Sequence, residues 1–174
     1  MAPDRSFAET VAELGTLLGL SRPAGQCFAV IWRAARPPCA DDLTAALGLS
    51  RSNVSTALKE LRDWGLISRV RAPADRKDYF TAPPDPWEIL RLLIGGWQRR
   101  AIAPLVDRLL AGAPSSGDGR ASALHAALAT VSSRLETLPS LGAARLSAAF
   151  ESRPGKDPAN ERGTPRKKKK KGKG

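Results

Sequence analysis

The stretch Cys39–Thr81, CADDLTAALGLSRSNVSTALKELRDWGLISRVRAPADRKDYFT, decides the fold. Ala40 to Leu47 carries Leu43, Ala46 and Leu47 on one side, a helical period. Asp41 and Asp42 fall in its first turn, where the helix dipole favours negative charge. Gly48 suits a left-handed cap, and Ser50 suits the N-cap of a second helix running from Arg51 to about Trp64. Val54, Ala57, Leu58, Leu61 and Trp64 recur in steps of three and four and make its buried stripe. Helix, Gly-containing turn and helix at this spacing form a helix-turn-helix. Leu66 to Arg71 then reads as a short strand and Ala72–Asp75 as turn material. Lys77 to Thr81, with Tyr79 and Phe80, is the returning strand. The predicted class is a mainly α protein with a small β-wing, a winged helix-turn-helix.

The residues left off the apolar stripe carry the functional expectation. Ser50, Arg51, Ser52, Asn53, Ser55, Thr56 and Lys59 lie at the start of the second helix, and none is acidic. Such side chains reach base edges and phosphates, and a recognition helix presents its N-terminal end to the major groove. Arg69, Arg71, Arg76 and Lys77 gather on one hairpin, where a basic tip can follow phosphates or enter a minor groove. A solvated helix face and a merely solubilising hairpin are the plainer alternatives. The set as a whole favours duplex DNA.

Three segments carry a family resemblance: GLSRPAGQCFAVIW, ALGLSRSNVSTALKELRDWGLI and PADRKDYFTAPPDPWEI. In this order and spacing they resemble the GbsR branch of the MarR-like transcriptional regulators, over roughly Leu17 to Leu110. The resemblance implies that the second helix of the motif reads DNA. It implies that Asp75 orients the wing and Arg76 reaches the minor groove. It further implies a homodimer that regulates nearby genes, in many members under a small-molecule effector.

Outward from the motif, Ser6 to Leu20 is a helix with Phe7, Val11, Leu14, Leu17 and Leu18 on one face, stopped by Gly19. Ser21 caps a second helix with Pro23 in its first turn, and Phe28, Ile31 and Trp32 give it an apolar face. Trp32 fits core packing better than ligand stacking. On the other side, Asp85-Pro86 opens a long helix to about Leu110. Its Gly95-Gly96 pair and Pro104 predict weakening or a kink. Trp87 and Trp97 on this helix could frame a quaternary amine, although packing explains both. Residues 113–119 form a Pro-, Ser- and Gly-rich loop. Ala121, Leu124, Leu128, Val131, Leu135 and Leu138 then alternate steps of three and four, the seam of a coiled coil or bundle. Leu141 to Phe150 adds a short helix. These long apolar helices call for a partner chain, so dimerisation is expected. The organisation is a DNA-binding domain over 1–84, a helical dimerisation region over 85–151 and a basic tail over 152–174.

The net charge of +11 sits mostly in that tail, where ten basic and two acidic residues from Ser152 onward leave only +3 for the rest. Its composition predicts disorder. It suits either nonspecific phosphate contact or solubility. No leader pattern or membrane-length apolar run appears, and the expected location is the cytoplasm. Cys27 and Cys39 do not make a disulfide framework and read as buried thiols rather than a redox pair. With one histidine, His125, there is no zinc spacing, no Gly-rich phosphate loop and no nucleophile–base set, so neither a cofactor nor an enzyme is expected. The resulting expectation is a homodimeric regulator, more plausibly a repressor, on two half-sites roughly 34 Å apart. The competing classes are a winged helix used for protein interaction and a nonspecific DNA-coating protein that relies on the tail.

Overall fold

The computed structural model describes residues 5–71, 76–112 and 119–151. The wing turn 72–75 with Asp75, the loop 113–118 and the basic tail from Ser152 lie outside the described residues. The order is α1 (Arg5–Leu17), α2 (Arg22–Arg33), α3 (Ala40–Leu47), α4 (Arg51–Asp63), β1 (Ser68–Arg71), β2 (Asp78–Thr81), α5 (Pro86–Trp97), a π-helical segment (Gln98–Ile102), α6 (Ala103–Ala111), α7 (Gly119–Thr137), a 3-10 turn (Leu138–Ser140) and α8 (Ala143–Glu151). This is the winged helix-turn-helix class that the sequence predicts.

Local chemistry places the ends. Ser21 Oγ accepts from the Ala24 N–H at 3.3 Å and Ser50 Oγ from the Asn53 N–H at 3.2 Å, so both predicted caps form. Gly48 adopts φ 67° after α3, which a left-handed cap requires. The recognition helix stops one residue earlier than its stripe suggests. Trp64 is its C-cap, Gly65 turns at φ 75°, and the Leu66 N–H donates back to the Leu61 carbonyl at 2.9 Å. That bond satisfies a carbonyl the helix end would otherwise leave open.

The core lies between α2, α4 and the residues just before the wing. Leu43, Val54, Leu61 and Leu66 are fully buried, each worth on the order of 2 kcal/mol of apolar burial. Ile67 is also buried, so the strand starts at Ser68 rather than Leu66; the two apolar residues turn into the core first. Ile89 and Leu93 of α5 join the same cluster.

The first helix packs by its small residues. Ala8, Ala12 and Gly15 are buried against α2, and a Cβ on Gly25 would come within 2.5 Å of Ala12 Cα. Of the larger residues of the predicted face, Phe7, Val11 and Leu18 are half-buried, whereas Leu17 is 80% exposed and Leu14 48%. The close helix–helix approach excludes bulky side chains from the contact, and this outweighs their hydrophobicity.

The long helix is irregular near Pro104, one of the two expected places, and regular at the other, Gly95-Gly96. Gly95 and Gly96 stay within α5 and are buried, because neighbouring side chains occupy the space their own would fill. The break is the π-helical Gln98–Ile102, directly before Pro104. Proline has no N–H for the carbonyl four residues back and its ring crowds that carbonyl; widening the turn relieves both. The seam of α7 is only partly covered. Leu128, Leu135 and Leu138 are half-buried, whereas Leu124 and Val131 are 56% and 54% exposed.

Candidate nucleic-acid interface

The recognition helix leaves one polar face open. Ser50, Arg51, Ser52, Asn53, Ser55, Thr56 and Lys59 are all exposed, while Val54, Ala57, Leu58 and Leu61 between them are buried. The split follows from the period: residues one turn apart share a side, and the apolar side faces α2. Ser50 is already engaged, accepting from Asn53 N–H and bonding Ser52 Oγ at 3.0 Å.

The wing stands beside this face because two backbone contacts pin it there. Tyr79 bridges Cys39 in antiparallel register, and the Phe80 N–H donates to the Pro38 carbonyl at 3.0 Å. Within the wing, Arg71 pairs with Asp78 and Val70 with Tyr79 across the strands. Arg69 and Arg71 both donate to the Asp78 carboxylate, at 3.1 and 2.9 Å. The Arg71 hydrogen bond, with Arg69 adding to it, holds that carboxyl below its usual range. Arg76 is exposed. Asp75, to which the resemblance assigns the wing's orientation, lies outside the described residues.

Asp41 joins the two parts. Its carboxylate lies 3.2 Å from Arg51 Nη2 and 3.2 Å from Lys77 Nζ. Between α3, α4 and the wing runs an open cleft of about 510 Å³ bordered by Asp41, Ser55, Lys59, Arg62, Lys77 and Asp78. Asp41, Arg62 and Asp78 were not among the sequence-derived site residues. Asp78 is findable from the hairpin alone, because any register that pairs Val70 with Tyr79 sets Arg71 against an acid.

Other contacts fix the recognition helix from behind. Glu60 accepts from both Ser21 N–H at 2.7 Å and Ser21 Oγ at 2.5 Å. Arg100 donates to the Asp63 carbonyl at 2.8 Å, and its guanidinium lies 4.6 Å from the centre of the Trp64 ring.

A second depression, about 230 Å³, is almost wholly apolar and lies between α1, α2 and α5, with Phe7, Val11, Leu14, Phe28, Trp32 and Leu90 on its walls. Trp32 stacks on Phe7 at 6.2 Å, the packing role expected of it. Trp87 meets Phe150 of α8, also at 6.2 Å. Both cysteines are buried, and burial pushes the Cys27 thiol up to about 12. Among the described residues no group of His, Cys, Asp and Glu is arranged to hold a metal. No helix among them is long and apolar enough to cross a membrane.

Fold and site together define a winged helix-turn-helix protein whose recognition helix and wing present polar and basic side chains on one surface. Residues 35–78, which span α3, α4 and β1 and reach the start of β2, match the MarR family. Among solved structures, the chain resembles one described as a transcriptional regulator, with 22% identity and a TM-score of 0.56, covering 86% of this chain and 98% of that one. Another is the transcriptional regulator BldR from Sulfolobus solfataricus, with 21% identity and a TM-score of 0.38, covering 75% and 86%. No curated protein matches the sequence.

Proposed function

We propose that this protein is a cytoplasmic, sequence-specific regulator of transcription that binds double-stranded DNA as a homodimer. The observation that carries the proposal is the exposed, acid-free face of α4 from Arg51 to Lys59, flanked by the basic wing. The match of residues 35–78 to the MarR family and the fold shared with a solved transcriptional regulator support it. In this reading α4 enters a major groove. Arg51 and Asn53 are first to meet bases or phosphates, Ser52, Ser55 and Thr56 follow, and Ser50 contributes mainly by capping. Lys59, Arg69, Arg71, Arg76 and Lys77 lie along the backbone or the minor groove, with Asp75 ordering the wing tip. Residues 1–84 form the reader and 85–151 the dimerisation region.

Uncovered apolar side chains support the second copy. Leu14, Leu17, Leu90, Leu105, Leu124 and Val131 are exposed large hydrophobics on α1 and on the helices after the wing. Large apolar side chains left at the surface in this number are available to cover a second chain. The apolar depression beside Trp32 suits an uncharged, hydrophobic effector better than an ionic one. Placement in the GbsR branch and action as a repressor are part of the proposal.

The test is selection of bound sequences from random duplex DNA at about 0.15 M salt, with the full chain and with a version ending at Glu151. Enrichment of one palindromic motif by both forms is the expected result. Binding without any enriched motif, lost when the tail is removed, would reject the winged helix as the reader.

A further inference from the structure

We infer that Asp41 is a competitor ion on the DNA-facing surface, a positioning residue that holds Arg51 of the recognition helix and Lys77 of the wing until a phosphate displaces it. The inference rests on the DNA-binding reading above and adds a device to it.

The arrangement comes from the fold. Cys39 and Tyr79 form an antiparallel bridge, and two residues further along each chain segment stand Asp41 and Lys77. That bridge sets the first turn of α3 beside the start of β2, and the two side chains meet at 3.2 Å. On its other side the same carboxylate lies 3.2 Å from Arg51 Nη2, at the first residue of α4. One acid therefore spans α3, the recognition helix and the wing.

All three partners are largely open to water; the Arg51 side chain is 84% exposed, Lys77 54% and Asp41 50%. Exposed pairs of this kind contribute little to folding stability. Their effect on DNA binding is of another sort. A phosphate that approaches this surface meets two cations already partly neutralised and a carboxylate that repels it. Binding must exchange one anion for another rather than simply add one. The gain per cation is then smaller than for a bare lysine or arginine. Asp41 thus lowers general affinity for DNA.

The experiment measures binding of the full chain to a mixed-sequence duplex of about 30 base pairs by fluorescence anisotropy at about 0.15 M salt. Asp41→Asn is compared with Asp63→Asn, which removes the same charge from the exposed C-terminal end of α4. Asp41→Ser, which also suits a first helical turn, guards against a folding defect peculiar to the amide. Both Asp41 variants should bind about three- to tenfold tighter than the wild type, and Asp63→Asn should gain clearly less. In a background carrying Arg51→Met and Lys77→Met, the gain from Asp41→Asn should fall to that of Asp63→Asn. An Asp41→Asn gain no larger than the Asp63→Asn gain, or one that persists without the two cations, overturns the inference while leaving DNA binding intact. Failure of the wild type to bind any duplex overturns both.

Discussion

The indole of Trp64 occupies the space where residue 96 would carry a side chain. A Cβ on Gly96 would come within 2.2 Å of Trp64 Cε3 and 2.4 Å of Cζ3. Trp64 closes the recognition helix, and Gly96 lies in the long helix after the wing, so this contact ties the helix-turn-helix to the helices that follow. Arg100 completes the junction from the π-helical segment, over the ring and onto the Asp63 carbonyl.

Gly96→Ala should therefore destabilise the protein, although alanine favours helix by about 1 kcal/mol over glycine. Trp64 is only 3% exposed, so its indole has no free side to retreat to. Overpacking of this kind costs about 1–3 kcal/mol, and with the propensity gain set against it a net loss near 1 kcal/mol is expected. Chemical denaturation measures it. Trp64→Leu alone should destabilise by leaving a gap, but combined with Gly96→Ala it should cost less than the sum of the two. Simple additivity would mean that the two residues do not share this space.

Glu60 and Ser21 make a second tie, between the recognition helix and the start of α2. Ser21 Oγ accepts from Ala24 N–H while donating to Glu60, so one hydroxyl serves a cap and a cross-link. Ser21→Ala should cost about 1–2 kcal/mol, the usual range for a lost N-cap together with a charge-assisted bond. Glu60→Ala should cost less, about 1 kcal/mol, because the cap survives. The double variant should fall short of the sum by several tenths of a kcal/mol. A strictly additive pair in urea titrations would show that the bonds are not coupled.

The motif itself was legible because its signals are local. Ser50, Gly48 and the Val54–Leu61 stripe each act within one turn of chain, and each appears where expected. The face of α1 was misleading for the opposite reason. Leu14 and Leu17 look like part of a core stripe, but the contact with α2 depends on Gly25 lying against Ala12, which no window within α1 contains. The π-helical segment was signalled by Pro104, yet its position was obscured by Gly95 and Gly96, whose reason lies in Trp64 and Pro139. The sequence points to the polar and basic residues of α4 and the wing, and to one acid, Asp75, through the family resemblance. Asp41 enters only when the wing is folded back on α3, since it and Lys77 are separated by the whole recognition helix, whereas Asp78 needs only the hairpin register.

Among the proposed DNA contacts, Arg76 and Asn53 should behave differently. Arg76→Ala removes an exposed wing cation and should weaken binding to every duplex by a similar factor, with a salt slope shallower by about 1. Asn53→Ala should instead change the preference between selected and altered sites, by about 1–3 kcal/mol at the base it contacts. Anisotropy titrations over a salt series, on the selected motif and its single-base variants, separate the two. Identical profiles for both variants would remove the assignment of Asn53 to bases.

Thiol chemistry gives an independent check on the core. Cys27 is fully buried and its thiol is pushed up to about 12 by desolvation, so almost none is thiolate near neutral pH. Cys39 is 4% exposed at the cap of α3. Neither should react with a thiol reagent while the protein is folded, and labelling should keep pace with unfolding in denaturant. Fast labelling of one thiol in the native protein would mean local opening around the start of α3 or within α2.

Acid should weaken the fold through three carboxylates. Asp42 is held below its ordinary range chiefly by the Cys39 N–H, a bond of 2.8 Å. Asp78 is lowered by its hydrogen bond from Arg71, and Glu88 by that from Arg91, which also donates to the Pro139 carbonyl at 2.8 Å. A carboxyl whose folded pKa is depressed binds protons more weakly than in the unfolded chain. Its contribution is fully present above the unfolded value, about 4, and disappears as pH falls through the folded one. Urea midpoints should therefore hold near neutrality and drop as pH falls below about 4. Asp42→Asn should lower the midpoint at pH 7 and narrow the difference between neutral and acid conditions, because the variant has no proton to take up at that position. An undiminished difference in Asp42→Asn would place the acid sensitivity with Asp78 and Glu88 instead, and Glu88→Gln would then show the narrowing.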